Sequence, residues 1–172
     1  MDVIEAIRTR RTHKVYAPVP LTRQEIDSLL EVARWAPNHH LTNPWRFRVL
    51  GPASLDRLKL AAETLKPGSA RKLERAPTRI VVSAVQAGDE RQVEEDRLAT
   101  AAAIYAVLLA AHARGLAGFW STPEIIRTPE GEAALKLPSD ERAVGLLHLG
   151  HPSHEVLPRD RSPLEEVVTY LD

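Results

Sequence analysis

Residues 89–114 read as the longest helix of this chain, and they constrain everything around them. The first half is charged; the second half, TAAAIYAVLLAAHA, is apolar nearly all round. A helix with no polar face belongs inside a fold, not on its surface. The remaining segments must therefore supply the layers that cover it. Gly115 follows directly and ends the helix as a C-cap glycine does.

Those segments alternate between helical and strand patterns. Residues 2–9 (DVIEAIRT) read as a short helix with Val3, Ile4 and Ile7 on one face, and residues 10–21 as a loop closed by Pro18 and Pro20. Thr22 and Glu25 form a capping box, opening a helix that runs to about Ala36, where Pro37 stops it. Ile26, Leu29, Leu30 and Ala33 form its buried face. Arg46–Leu50 alternates as a strand does. Ser54 is expected to cap a helix reaching about Leu65, and residues 66–77 read as a loop or short helix. RIVVSAV (79–85) reads as a buried strand, with further strands over 116–121 and 143–150. The tail from Pro163 to Asp172 reads as helix or strand. The expectation is one domain over residues 1–172, a mixed sheet covered by helices. Its apolar faces exceed what one small sheet can cover, which predicts a dimer.

Composition closes off several functions. The chain has 172 residues, with 23 basic and 23 acidic side chains, which argues against a nucleic-acid binder working by bulk charge. It has no cysteine, which excludes disulfides, thiolate metal sites and a cysteine nucleophile. No apolar run approaches the ~20 residues of a membrane span, and the first 20 residues lack an apolar leader core. A cytoplasmic protein without a membrane partner is expected. No GxGxxG, P-loop or GxSxG pattern occurs, so neither common nucleotide-binding fingerprint nor a serine hydrolase is supported.

Four polar clusters remain. Arg10-Arg11-Thr12-His13-Lys14 sets three cations and a hydroxyl in one short segment, able to surround a dianion or to form a solvated basic turn. Ala36–Trp45 (APNHHLTNPW) is a loop dense in hydrogen-bonding groups, suited to the edge of a heteroaromatic ring or simply to a structural turn with Trp45 in the core. Its adjacent His39 and His40 raise a metal site, but no third ligand stands at a useful spacing. Gly115–Thr122 (GLAGFWST) offers glycines for close backbone approach to a flat ligand, with Ser121 and Thr122 as donors at the strand end. Arg159-Asp160-Arg161 alone is a surface charge pair.

Taken in order, these clusters resemble the nitroreductase family of FMN-dependent oxidoreductases. The opening helix and Arg10–Tyr16 are similar to the family's R-R-S-x-[RK]-x-F. Ala36–His39 through Asn43–Phe47 resembles its A-P-S/D…Q-P-W-x-F. The apolar helix running into Gly115–Trp120 resembles L-x-A-x-x-x-G-L-G-x-x-W, and Leu149–Pro152 matches L-G-x-P. Arg159–Val168 matches R-x-R-x-P-L-E-E-x-V. Thr12 stands for the usual Ser, Asn43 for Gln and Ala117 for Gly, and the length is that of the small bacterial members.

The resemblance implies a nitroreductase-like α+β homodimer, its central sheet mixed but mostly antiparallel and flanked by helices, with two FMN sites at the subunit interface and a C-terminal segment reaching toward the partner. Arg10, Arg11 and Thr12 would hold the phosphate and ribityl chain, and Lys14 the phosphate or the pyrimidine edge. Arg159 and Arg161 would add to the phosphate side; Trp120, Ser121 and Thr122 would lie along the flavin of the same subunit. Trp35, His39 and Asn43 belong to the implied cofactor site, with Trp35 and His39 approaching from the partner subunit. Residues 110–114 would border NADH or NADPH. The flavin carries the hydride, so no protein nucleophile and no metal is expected. The implied activity is ping-pong transfer from NAD(P)H to a nitroaromatic, quinone or related small acceptor. The competing readings are a flavin-binding sensor or carrier without turnover and a dimeric interaction protein without cofactor.

Overall fold

The computed structural model describes residues 1–157 and 159–171. They form five α-helices, α1 (Val3–Thr9), α2 (Arg23–Ala33), α3 (Pro52–Leu65), α4 (Glu90–Ala113) and α5 (Pro129–Leu135). Four strands, β1 (Trp45–Val49), β2 (Thr78–Val85), β3 (Ala117–Ser121) and β4 (Glu141–Gly150), make one sheet in the order β1-β2-β4-β3. Every neighbouring pair is antiparallel, so the mostly antiparallel sheet that the resemblance implies is borne out, and only its mixed component is corrected among the described residues. The helix α4 does join two strands of the same direction, β2 and β3, as a crossover would. Strand β4 then inserts between them and runs antiparallel to both. Among the described residues the parallel contact is an isolated bridge between Thr12 and Gly118.

Alternation along the strands divides the core between the two faces of the sheet. Ile80, Val82, Ala84, Leu147 and Leu149 pack against Leu29 and Ala33 of α2 and Ala103, Ile104, Val107 and Ala111 of α4. Val81, Ala143 and Leu146 pack on the other face against Leu58 and Ala62 of α3, with Ile126 and Leu135. Covering on both sides explains why β2 is a nearly continuous apolar run.

The helix α4 is central, but only one side of it is covered. Leu98 is 57% and Tyr105 39% exposed. The apolar face of α1 also points outward: Val3, Ile4 and Ile7 are exposed and Ala6 alone is buried. The capping box forms, with Thr22 Oγ1 accepting from the Glu25 amide and the Glu25 carboxylate accepting from the Thr22 amide. The helix α2 ends at Ala33, and residues 34–36 continue as a turn. At α3 the cap is Gly51 with Pro52 first in the helix, and the Ser54 hydroxyl donates to the Gly51 carbonyl. Proline lacks an amide, which removes one of the donors left unpaired at the helix start, and its fixed φ suits the first helical position. The tail is neither helix nor strand beyond a 3₁₀ turn at Leu164–Glu166; Asp172 lies outside the described residues.

Candidate functional site

The helix α1 begins at Asp2, whose carboxylate accepts from the Glu5 amide, and delivers the chain into Arg10–Lys14. This segment is stitched to the end of the sheet. The His13 amide donates to the Gly118 carbonyl at 3.2 Å and the Ala17 amide to the His151 carbonyl at 2.9 Å. The Tyr16 hydroxyl donates to the carbonyls of His13 and His148. Its pKa is raised by burial, so it remains a donor.

Beside this segment lies a cleft of about 410 Å³, into which Arg10, Arg11, Thr12 and Lys14 converge with Arg159 and Arg161 from the far end of the chain. Among the described residues no carboxylate lines it. None of these five cations forms an ion pair among the described residues. Arg11 Nη1 donates to the carbonyls of Arg8 at 2.6 Å and Arg10 at 2.7 Å, which holds the guanidinium in place. Arg161 Nη1 similarly donates to the carbonyl of Arg159. The imidazoles nearby report the positive field. His13 is lowered by burial and then by His154, His112 and Arg10; His112 is lowered by burial and then by Arg10 and Arg11. A lining of this kind has the donors to surround a dianion. His154, which lines it as well, was missed in the sequence reading; its position between L-G-x-P and R-x-R was the available signal.

The second predicted group is placed differently. The Trp120 side chain packs toward the α4 face of the core, over Gly145, with its indole nitrogen buried and unpartnered. The Ser121 hydroxyl is 2.9 Å from Nε2 of His148, which is fully buried. Burial pushes the His148 imidazole down to about 4, so it is neutral at pH 7. Thr122 is exposed. None of the three lines the cation cleft. The glycine reading is also corrected in part. A Cβ on Gly118 would lie 2.7 Å from Leu108 Cδ2, so that glycine makes room for α4 rather than for a ligand. Gly115 (φ +73°) is the helix terminator expected.

Trp35, His39 and Asn43 stand apart from the cleft in the single chain. Trp35 is 83% exposed. His39 Nδ1 is 3.0 Å from the Glu95 carboxylate on α4. Asn43 is engaged in its own loop: its amide donates to Asn38 Oδ1 and its side chain to the Leu41 carbonyl. The loop is strained, because His40, Leu41 and Asn43 all have φ near +50°. The cost is about 1–2 kcal/mol at Leu41 and smaller at His40 and Asn43, residue types that enter this region more readily. The rings of His39 and His40 lie 3.9 Å apart. Among the described residues no group of three or more His, Cys, Asp or Glu is arranged to hold a metal ion.

Comparison with known proteins places this geometry. The model of the nitroreductase family matches residues 7–151. The Bacillus subtilis protein YfhC, whose name puts it among the NAD(P)H nitroreductases, is 28% identical over 97% of this chain and 93% of its own length. YdjA of Escherichia coli, similarly named, is 26% identical over 88% of this chain and 89% of its own. A nitroreductase-like protein from Bacillus cereus shares the fold, with a TM-score of 0.89 at 23% identity over 100% of this chain and 97% of its own. A protein from Desulfovibrio desulfuricans, described as a nitroreductase in complex with FMN, superimposes with a TM-score of 0.83 at 27% identity, covering 99% and 96% of the two chains.

Proposed function

This chain belongs to the nitroreductase family, and on that premise we propose that it is an FMN-dependent oxidoreductase. It takes a hydride from NADH or NADPH and passes it to a small acceptor of the nitroaromatic or quinone class in a ping-pong cycle. The observation that carries this reading is the cleft of five cations that, among the described residues, have no ion pair and no carboxylate beside them. Its donor set fits a phosphate monoester: forked guanidinium groups for the oxygens, with the Thr12 hydroxyl beside them. The D. desulfuricans relative that carries FMN and the NAD(P)H names of the curated relatives support the same cofactor pair.

FMN supplies the hydride chemistry when bound, and the protein supplies binding, orientation and electrostatics. Arg10, Arg11, Thr12, Arg159 and Arg161 hold the phosphate end, and Lys14 reaches the phosphate or the pyrimidine edge. Bridged at Gly118 to this segment, β3 runs about 10 Å further to Ser121 at ~3.3 Å per residue. Trp120, Ser121 and Thr122 border the flavin there. The side chains of Trp120 and Ser121 are committed to the core and to His148, which leaves backbone and Thr122 for ligand contact.

The working unit is a homodimer. Val3, Ile4 and Ile7 of α1, Leu98 and Tyr105 of α4, and Leu164, Val167, Tyr170 and Leu171 of the tail are all exposed on the single chain. So much apolar surface on several elements calls for a partner, and the tail reaches toward it. Trp35, His39 and Asn43 then approach the flavin of the other subunit.

The test is an absorption spectrum of freshly purified protein, repeated with added FMN and then anaerobically with NADH and NADPH, alongside sedimentation analysis. A dimer whose flavin bands bleach is expected. Flavin retained without bleaching by either nicotinamide would support a carrier or sensor instead. A protein that neither binds FMN nor perturbs its spectrum would overturn the reading.

A further inference from the structure

The strained loop at residues 38–43 is tied to the body of the protein through one buried carboxylate. Asp96 on α4 is 2% exposed. Its Oδ1 accepts from the Thr42 hydroxyl at 2.6 Å and from the Gln92 side-chain amide at 3.1 Å. Among the described residues no Lys, Arg or His pairs with it. Burying a carboxylate without a cation is costly, and an apolar residue would fill the same space without that cost. What the carboxylate supplies is a fixed acceptor for Thr42.

Thr42 is the one residue between His40 and Asn43 with a right-handed backbone; His40, Leu41 and Asn43 are left-handed. The loop's other bonds are mostly internal to it, such as Asn43 amide to Asn38 Oδ1 and Asn43 Nδ2 to the Leu41 carbonyl. A left-handed run of non-glycine residues persists only when the surroundings over-determine it. The neighbouring Glu95 adds a second tie, to His39, from the same turn of α4.

We propose that Asp96 is a positioning residue: through Thr42 it holds residues 38–43 in the shape that presents His39 and Asn43 to the cofactor site. The assignment rests on the function proposed above, because it is that reading which brings His39 and Asn43 to the flavin. Asp96 itself does not touch the cofactor.

Four variants test it: Thr42→Val, which removes the hydroxyl at nearly constant shape; Thr42→Ser, which keeps it; Asp96→Asn, which keeps an acceptor oxygen; and His40→Gly combined with Thr42→Val. Glycine adopts the left-handed backbone freely, so the last variant relieves strain that the anchor otherwise opposes. The readouts are hydrogen exchange of amides 39–43 in the unliganded protein, FMN affinity, KM against kcat, and the urea midpoint. Thr42→Val should speed exchange of the loop amides and weaken FMN binding, each by about tenfold. Its urea midpoint should fall as well, because buried Asp96 loses a donor, but the protein stays folded under the conditions of the binding assay. Thr42→Ser and Asp96→Asn should stay near wild type, and the His40→Gly combination should recover much of the loss.

Wild-type exchange and affinity in Thr42→Val overturn the proposal, as does an equal loss in Thr42→Ser. A fall in global stability that accounts for the whole effect also overturns it. If the wild-type protein binds no FMN, the functional reading and the loop's role at the flavin fall together. Loop exchange in the same unliganded samples separates that failure from a failure of the anchor itself.

Discussion

Replacing Arg11 by Ala should weaken FMN binding far more than replacing Arg161 by Ala, although both line the same cleft. Arg11 is half-buried, and two backbone carbonyls at 2.6 and 2.7 Å already pin its guanidinium. Little side-chain entropy is left to lose when an anion arrives. A charge-assisted hydrogen bond in such a setting is worth about 1.5–3 kcal/mol, or roughly 10- to 150-fold in Kd. Arg161 is exposed, and an exposed charge contact contributes about 0–1 kcal/mol, at most about fivefold. Arg11→Lys should fall between wild type and Ala, because it keeps the charge and loses the fork. The assay is quenching of FMN fluorescence at low and high salt, with the Arg161 contribution the more strongly screened. Arg11 also donates to the Arg8 carbonyl in the last turn of α1, so a urea titration must accompany it; a loss of about 1 kcal/mol in stability is expected. An Arg11→Ala protein that binds FMN within about twofold of wild type would refute the placement of the phosphate. So would an Arg161→Ala loss as large as that of Arg11→Ala.

Three further outcomes follow from the core. Glu141 accepts both Arg48 nitrogens, at 2.7 and 2.9 Å, and the Ser83 hydroxyl. Burial alone would raise its carboxyl, but these bonds outweigh burial and hold the pKa below the ordinary value. The stability it confers is therefore present above the unfolded value near pH 4.3 and is lost as pH falls through the lower folded value. Glu141→Ala should cost about 3 kcal/mol in urea unfolding at pH 7, because it strands the Arg48 guanidinium. His148 behaves differently, because burial lowers it from 6.5 to about 4. It contributes nothing to pH dependence above about pH 6.5. As pH drops toward 4 the unfolded chain takes up a proton that the folded one refuses, and stability falls by up to about 3 kcal/mol. Urea midpoints between pH 7 and pH 4 should lose that slope in His148→Gln. Gly118→Ala should cost about 1–3 kcal/mol in the same assay, since its Cβ would press on Leu108 Cδ2 at 2.7 Å.

The parts of this protein legible in its sequence are those set by neighbours along the chain. The Thr22–Glu25 capping box, the length and apolar character of α4 and the stop at Gly115 depend on residues three or four apart, and they form as read. The strand segments were likewise legible, β1 from alternation and β2 from its short apolar run. The cap at α3 was misassigned to Ser54 because Ser is the commoner signal, whereas Gly51 holds the cap position and Pro52 opens the helix. The helix α5 went unread; its signals, the Thr128 cap and Pro129 in the first turn, precede only seven helical residues.

By itself, the sequence determined that α4 must pack centrally against the rest of the fold, that no cysteine chemistry is available, and that Arg10–Lys14 carries unusual positive charge. Each of these is a property of composition or of short-range spacing. Tertiary structure decided the rest. It inserted β4 between β2 and β3, and it brought Arg159 and Arg161 to Arg10 and Arg11 across nearly the whole chain. It turned Trp120 and Ser121 inward and set Thr42 on Asp96, 54 residues away. Local patterning names the face that will be buried; what a face or side chain meets depends on contacts between sequence-distant segments, which form only when the sheet closes.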